Sequence, residues 1–197
     1  YMEHKMRQQA SMDQALEVIE AVGAEFGQQF GRSYGLIDAY RMADAVTAVV
    51  ILGSEVGRVR DIVDELRAAD HKVGLLRLRT VRPFPHEQVV RHLLGLKAAA
   101  VMDRSFAPGA VGAPMFQEIR SALYDYRADA PAVINRIYGL GGRVLRNNDV
   151  KDIFAELEAL AGGDTTIPAI RMVGLRGEPS AAGIDLKPAV QIPVASR

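Results

Sequence analysis

Cysteine is absent from the 197-residue chain. Its absence excludes disulfides, thiolate zinc sites, a cysteine nucleophile and any iron–sulfur cluster held by thiolates of this chain. Net charge is absent too, because 24 Lys and Arg residues balance 24 Asp and Glu residues. No overall field therefore draws the chain toward nucleic acid or an anionic membrane, and we predict neither as a partner.

Long apolar runs are also missing. The longest one, at 45–52, is interrupted by Thr47 and is far shorter than the roughly 20 residues that a membrane span requires. Residues 1–7 are followed by Gln8 and Gln9 rather than by the apolar stretch of a secretory signal. We therefore expect a cytoplasmic protein without a membrane span.

Short apolar runs alternate with amphipathic helical stripes over most of the chain. Hydrophobic residues recur at helical spacing up to Gly31, which predicts a first helix that ends there. The apolar runs that follow have the length and Val/Ile content of buried strands and lie at 46–52, 73–78, 98–102 and 133–138. This alternation predicts an α/β fold, a three-layer α/β/α sandwich with a mostly parallel sheet.

Two residues have the chemistry of helix caps, and the end of the chain has a different composition. Ser54 and Asn148 each stand just before a helical stripe, where a side-chain oxygen can accept a backbone N–H. Residues 162–197 contain four prolines, five glycines and no sustained periodicity. We predict an extended tail there, in which the apolar groups 170–173 and 190–194 can dock on a partner.

Ligands of open parallel sheets sit beyond the carboxyl ends of the strands, so the loops after the predicted strands are where a site is expected. These loops are residues 53–57, 79–85, 103–112 and 139–143. None of them has the spacing of a dinucleotide-binding fingerprint or a P-loop.

The third loop has the strongest signal. Arg104 and Ser105 are followed by Gly109 and Gly112 and then by a predicted helix, so a cation and a helix N-terminus could together hold a phosphate or carboxylate. Alternatively, the glycines only make the turn and Arg104 pairs with Asp103. The absence of a known phosphate-loop motif favours this second interpretation.

Three arginines cluster along the second predicted strand and its exit. Alternation with Leu76 and Leu78 places Arg77 and Arg79 on one face of the sheet, and Arg82 follows in the loop. They could capture an anion, form salt bridges with helix carboxylates, or anchor a neighbouring subunit. We favour the subunit interface, where Arg is a common anchor.

Other reactive groups lack the required arrangement. The four histidines have no metal-ligand spacing, and no serine lies in a Gly-x-Ser-x-Gly elbow. The sequence predicts neither a metal site nor a catalytic residue in this chain.

Six segments, in one order along the chain, carry a family resemblance. They are Gly-Arg-Ser-Tyr-Gly at 31–35, Tyr-Arg-Met at 40–42, Val-Gly-Leu-Leu-Arg-Leu-Arg at 73–79, Arg-Pro-Phe-Pro at 82–85, Val-Met-Asp-Arg-Ser at 101–105 and Tyr-Gly-Leu-Gly-Gly-Arg at 138–143. As a set they resemble the C-terminal region of the α subunit of pyruvate:ferredoxin oxidoreductase. The resemblance extends from Met6 to Leu160.

The resemblance implies a domain organisation. Residues 32–161 would form a domain like the transketolase C-terminal domain, with a mostly parallel five-stranded sheet. Its first strand, near 36–40, would be antiparallel. Residues 1–31 would be the linker helix from a pyrimidine-binding domain that this chain lacks, and 162–197 would be the tail.

The resemblance also implies an activity for the whole complex: oxidative decarboxylation of a 2-oxoacid, pyruvate first, to acyl-CoA and CO2, with electrons passed through iron–sulfur clusters to ferredoxin. The implied cofactors are thiamine diphosphate with Mg²⁺, iron–sulfur clusters and coenzyme A, none bound by this chain alone. The implied partners are the pyrimidine-binding domain, a thiamine-diphosphate-binding β subunit, a γ subunit, a ferredoxin-like δ subunit and ferredoxin.

On this basis the chain serves mainly subunit assembly, and Arg104, Ser105, Gly109 and Gly112 are candidates for the entrance used by coenzyme A. Two alternatives stay open. One is a non-catalytic α/β binding or assembly module. The other is the equivalent domain of another thiamine-dependent enzyme that acts on an aryl or branched 2-oxoacid.

Overall fold

Six strands form one sheet in the computed structural model, which describes residues 1–176. In chain order they are β1 Ile37–Tyr40, β2 Thr47–Ile51, β3 Val73–Leu78, β4 Ala98–Asp103, β5 Ala132–Ile137 and β6 Ile170–Met172. Their order across the sheet is β1-β3-β2-β4-β5-β6. β1 is antiparallel to β3 and the other neighbours are parallel, which confirms the predicted fold class and the implied antiparallel first strand.

Helices cover both faces of this sheet. Four helices do so: α2 Val56–Ala68, α3 His86–Leu93, α4 Pro114–Leu123 and α5 Asn147–Ala161; the first helix, α1 Met2–Phe30, contributes no residue to either core cluster. α2 and α5 pack on one face, and α3 and α4 pack on the other. Because β2 and β4 are enclosed from both sides, all their residues are buried, which explains their continuous apolar sequences.

The connections reverse direction at β2. α2 leaves β2 on one face and leads to β3, whereas α3 returns on the opposite face, past β2, to β4. The carboxyl ends of β2 and β4 are therefore the topological switch point, where open α/β sheets bind their ligands. The loops after β2, β4 and β5 surround this point.

The sheet has six strands among the described residues, not the five that the resemblance implied. The extra strand, β6, falls inside the predicted tail and pairs with β5 from Asn135 opposite Ile170 to Ile137 opposite Met172. The segment 170–173 thus docks on this chain's own sheet, and the expectation of a partner there was wrong. A strand of three residues is too short for periodicity to reveal. The segment 190–194 lies outside the described residues.

The predictions that Ser54 and Asn148 cap helices were both wrong. Glu55, not Ser54, precedes α2, and it makes no side-chain cap; its carboxylate instead pairs with Arg58 at 2.9 Å. Asn148 lies within α5, whose N-cap is Arg146. Asp149 accepts the Arg146 N–H at 2.8 Å, so an acidic side chain in the first turn stabilises this helix start.

The first helix ends at Gly31, as predicted, with that residue in the left-handed conformation at φ 71°. α1 has 29 residues, roughly 44 Å at 1.5 Å per residue, and only Gly23 within it is buried. The loop after α1 lies on this glycine: a Cβ at position 23 would stand 1.8 Å from the Tyr34 carbonyl oxygen, and Ser33 Oγ donates to the Gly23 carbonyl at 3.1 Å. Among residues 1–176 no helix is both long and apolar enough to cross a membrane.

We expect Gly23→Ala to disrupt this attachment of α1. The added methyl group must push the 31–35 loop away, and overpacking of this kind costs about 1–3 kcal/mol of unfolding free energy. Denaturant unfolding measures that loss, and hydrogen exchange should show weaker protection at 31–35. Gly57→Ala in α2 is the matched control, because nothing lies within 4 Å of its Cβ position. Equal stability of the two variants would contradict the contact.

Candidate functional site

Three loops meet around Tyr138 at the carboxyl edge of the sheet. Tyr138 follows β5 and is buried, which raises the pKa of its phenol to about 12. The nearby carboxylate of Glu55, from the loop after β2, contributes to that increase in pKa, whereas Arg104, from the loop after β4, opposes it. The sequence identified these loops but not the buried phenol between them.

Asp103, the last residue of β4, organises the loop that follows. Its carboxylate is buried and accepts the backbone N–H groups of Met115 at 3.0 Å and Phe116 at 3.2 Å. A third hydrogen bond comes from Asn135 Nδ2 at 2.9 Å. Burial raises the pKa of Asp103, and the three donors act in the opposite direction. The carboxylate thus stands where a bound anion was predicted.

Asn135 completes the same network from the middle of β5. It is fully buried; its Oδ1 accepts the Ala113 N–H at 2.9 Å and its Nδ2 also donates to the Val101 carbonyl at 2.9 Å. Pro114, the first residue of α4, has no N–H. The backbone donors at 113, 115 and 116 are therefore all used within the chain.

This network removes the helix N-terminus from the predicted anion site. A phosphate or carboxylate could reach the α4 amides only by displacing Asp103. Sequence reasoning missed Asn135, although the signal was present: an amide side chain inside a buried strand must find hydrogen-bond partners.

Arg104 does not pair with Asp103, so that part of the alternative interpretation was wrong. Its side chain is exposed and lies against the neighbouring loop, where Nε is 3.0 Å from the position of a Cβ at Gly139. Asp103 is instead satisfied by amides, as described above. Arg104 therefore joins the loops after β4 and β5 and stays accessible to solvent.

The other predicted site residues lie on the same loop. Ser105 and Gly109 are exposed, and Gly109 has φ 85°, which a turn made by glycine explains. Gly112 has φ 141°, and a Cβ there would stand 2.3 Å from Phe116 Cδ1. The two glycines are thus required by the turn and by packing. A ligand-binding role for Arg104, Ser105, Gly109 and Gly112 stays a prediction.

Two of the three clustered arginines form ion pairs within the chain. Arg79 Nη2 lies 3.0 Å from Asp38 Oδ2, and Arg82 contacts the Glu118 carboxylate. Arg77 has no ion pair within residues 1–176. Salt bridging within the chain therefore accounts for Arg79 and Arg82 but not for Arg77.

The titratable groups form no metal site in the described part of the chain. Among residues 1–176, no group of three or more His, Asp or Glu side chains is placed to hold a metal ion. His71 Nδ1 instead contacts Glu158 Oε1 at 2.6 Å, a pair that links the loop after α2 to α5 at the surface.

We expect Asp103→Asn to destabilise the fold. The substitution replaces an accepting oxygen with an NH2 group that faces N–H donors, and an unsatisfied buried group costs about 1–3 kcal/mol. Asp125→Asn, at an exposed position, is the control and should change stability by less than about 0.5 kcal/mol. Urea unfolding of both variants measures the difference. An unaffected Asp103→Asn variant would show that the network does not support the loop.

Comparisons with known proteins identify relatives over most of this chain. The family model described as pyruvate:ferredoxin oxidoreductase core domain II matches residues 45–150, from the start of β2 to the first turn of α5. Pyruvate synthase subunit PorA of Thermotoga maritima is 38% identical over 176 residues, which are 89% of this chain and 44% of PorA. The α subunit of NADH-dependent phenylglyoxylate dehydrogenase from Aromatoleum evansii is 37% identical over 164 residues, 83% of this chain and 39% of that subunit.

A solved 2-oxoglutarate:ferredoxin oxidoreductase from Magnetococcus marinus, with 2-oxoglutarate, coenzyme A and succinyl-CoA bound, aligns with a TM-score of 0.45 and 18% identity. The alignment covers 67% of this chain and 21% of that one. The chain spans less than half the length of the two curated relatives described above. Because the family model accounts for more than half of its residues, the chain belongs to the family of pyruvate:ferredoxin oxidoreductase core domain II.

Proposed function

We propose that this chain is part of the α subunit of a thiamine-diphosphate-dependent 2-oxoacid:ferredoxin oxidoreductase, with pyruvate as the first candidate substrate. The complex would convert a 2-oxoacid and coenzyme A to an acyl-CoA and CO2 and pass the electrons to ferredoxin. One observation carries the proposal: the family match at 45–150 covers β2 to β5 with the helices between them. A cytoplasmic location, expected from the sequence, is part of it.

The cofactors of the complex would be held mainly outside residues 1–176. The chain has no cysteine for an iron–sulfur cluster, and residues 1–176 contain no group of side chains placed to hold a metal ion. In the complex, bound thiamine diphosphate would supply the carbanion chemistry of decarboxylation. We therefore assign those cofactors to other parts of the complex: the pyrimidine-binding domain, the β and γ subunits and the ferredoxin-like δ subunit, with ferredoxin as acceptor.

The role of this chain would be to hold those parts together and to shape one approach to the active site. Arg104 supports the second role, because it is an exposed cation fixed against Gly139 beside the topological switch point. Since Asp103 occupies the α4 amides, the Arg104 guanidinium would be the group that meets a phosphate of coenzyme A. Ser105, Gly109 and Gly112 would shape the loop that carries it.

An aryl 2-oxoacid is the second candidate substrate. The relative named for phenylglyoxylate is 37% identical to this chain, and the relative named for pyruvate is 38% identical. This difference does not separate the two substrates, so both belong in the assay, together with a branched 2-oxoacid.

We expect the chain to co-purify from its source with cofactor-bearing subunits that oxidise a 2-oxoacid. Native mass spectrometry of the gently purified complex would identify the partners, and dye reduction that depends on both coenzyme A and the 2-oxoacid would measure the activity. A complex without thiamine diphosphate, or a lone chain, would overturn the proposal and favour the non-catalytic module.

Within such a complex, Arg104→Ala should weaken the use of coenzyme A. Loss of a hydrogen bond to a charged group costs about 1.5–3 kcal/mol, so the apparent KM for coenzyme A should rise by roughly tenfold or more. The KM for the 2-oxoacid should stay constant. Arg127→Ala is the matched control, since Arg127 is an exposed arginine near the start of β5, at the opposite edge of the sheet. An unchanged KM for coenzyme A would rule out this role.

A further inference from the structure

A groove of about 710 Å³ runs between the second half of α1 and the carboxyl ends of β2 and β3. Its walls include Val18 and Val22 from α1 and Leu52 after β2. These apolar side chains are 59%, 58% and 39% exposed, respectively. Large apolar side chains that stand together at a concave surface mark a contact site more often than isolated ones do.

Arg79 also lines this groove, and its charge is accommodated within the chain. Its Nη2 donates to Asp38 at 3.0 Å, and its guanidinium carbon lies 4.8 Å from the centre of the Tyr34 ring. The ring is in turn held beside Phe26 of α1, with 5.7 Å between the ring centres. Arg79 thus helps to attach the end of α1 to the sheet.

Arg77, two residues earlier on β3, lines the same groove without such partners. Nε is buried without a hydrogen-bond partner among residues 1–176 in both Arg77 and Arg79, but only Arg79 has an ion pair there. Asp38 stands directly opposite Arg77 on β1, but its carboxylate is engaged by Arg79. Only Arg79 therefore contacts this carboxylate, and the positive charge of Arg77 has no counter-ion among residues 1–176.

A partly buried guanidinium without a counter-ion is costly, because burial removes hydration that no protein acceptor replaces. The planar group matches a carboxylate with two parallel hydrogen bonds. A small free anion would use Arg77 alone and leave the apolar walls exposed. A polypeptide segment that carries apolar side chains and a carboxylate would pair with Arg77 and also cover the apolar walls.

We infer that this groove is the docking site of another subunit of the complex, which places an Asp or Glu carboxylate on Arg77 and apolar side chains on Val18, Val22 and Leu52. The inference rests on the proposed function for the identity of the complex. The relatives that this chain matches are themselves named as subunits, so further chains are expected beside it. Arg77 would be the anchor that the sequence predicted for a subunit interface.

Arg77→Met tests the docking site, because methionine keeps an apolar stem and removes the charge. We expect the affinity of the partner subunit, measured by titration during reassembly of the complex, to fall at least about tenfold, as for other truncated buried charge pairs. The thermal midpoint of the unassembled chain should stay the same or rise, since an unpaired buried charge is lost. Arg77→Lys should lose less affinity than Arg77→Met.

Arg91→Met is the matched control, since Arg91 is an exposed arginine of α3 on the other face of the sheet. It should assemble like the unmodified chain. A lower thermal midpoint of Arg77→Met with unchanged affinity would overturn the inference and give Arg77 a role within the chain only.

A photo-reactive side chain at position 52 identifies the occupant. Cross-links from Leu52 to another subunit, next to an acidic residue, would support the inference. Cross-links only within the α subunit, or none in the assembled complex, would overturn it. Activity of the unmodified complex separates the two proposals: a complex that docks at Arg77 but oxidises no 2-oxoacid contradicts the proposed function alone.

Discussion

The hydrogen bonds of the Asp103 carboxylate hold together the end of β4, the start of α4 and the middle of β5. The carboxylate accepts two α4 amides and the side chain of Asn135, which itself binds Ala113 and Val101. Buried backbone donors need partners, and here each is satisfied by a side chain of the neighbouring strand. As a result the loop at 103–112 has a defined course, Arg104 faces solvent, and α4 offers no free amides to an anion.

A second buried polar cluster explains the sixth strand. Arg136 is fully buried and contacts Glu156 Oε2 at 2.7 Å and the backbone carbonyls of Asn135 and Pro168 at 2.8 and 3.1 Å. Arg171 of β6 reaches the other oxygen of Glu156 at 2.9 Å. Burial lowers the pKa of Arg136, while Glu156 opposes that effect. One carboxylate of α5 thus connects β5 to β6 and fixes the segment after α5 against the sheet.

Side chains on different surfaces of the domain differ in how many contacts they make within the chain. The core on both sides of the sheet is continuous, and polar side chains at its margin, such as His71 beside Glu158, contact each other within the chain. α1 is different, because a single buried glycine and the aromatic contact of Phe26 with Tyr34 attach much of its C-terminal half. Arg77 lines the groove beside this half of α1. This contrast is the basis of the docking site that we infer at Arg77.

Local periodicity was enough to predict the α/β sandwich, the end of α1 at Gly31 and four of the strands, including β3 with both ends correct. The reason is that a continuous apolar run indicates a strand enclosed on both faces, as β2 and β4 are. Three features depended on the tertiary structure: β6, the residues at the helix starts, and the contacts of Asp103 and Arg104. Their partners lie on other elements, such as Asn135 for Asp103, 32 residues away. Spacing along the sequence does not give the distance between such groups, so only the folded chain decides which of them meet and which one has no counter-ion among residues 1–176.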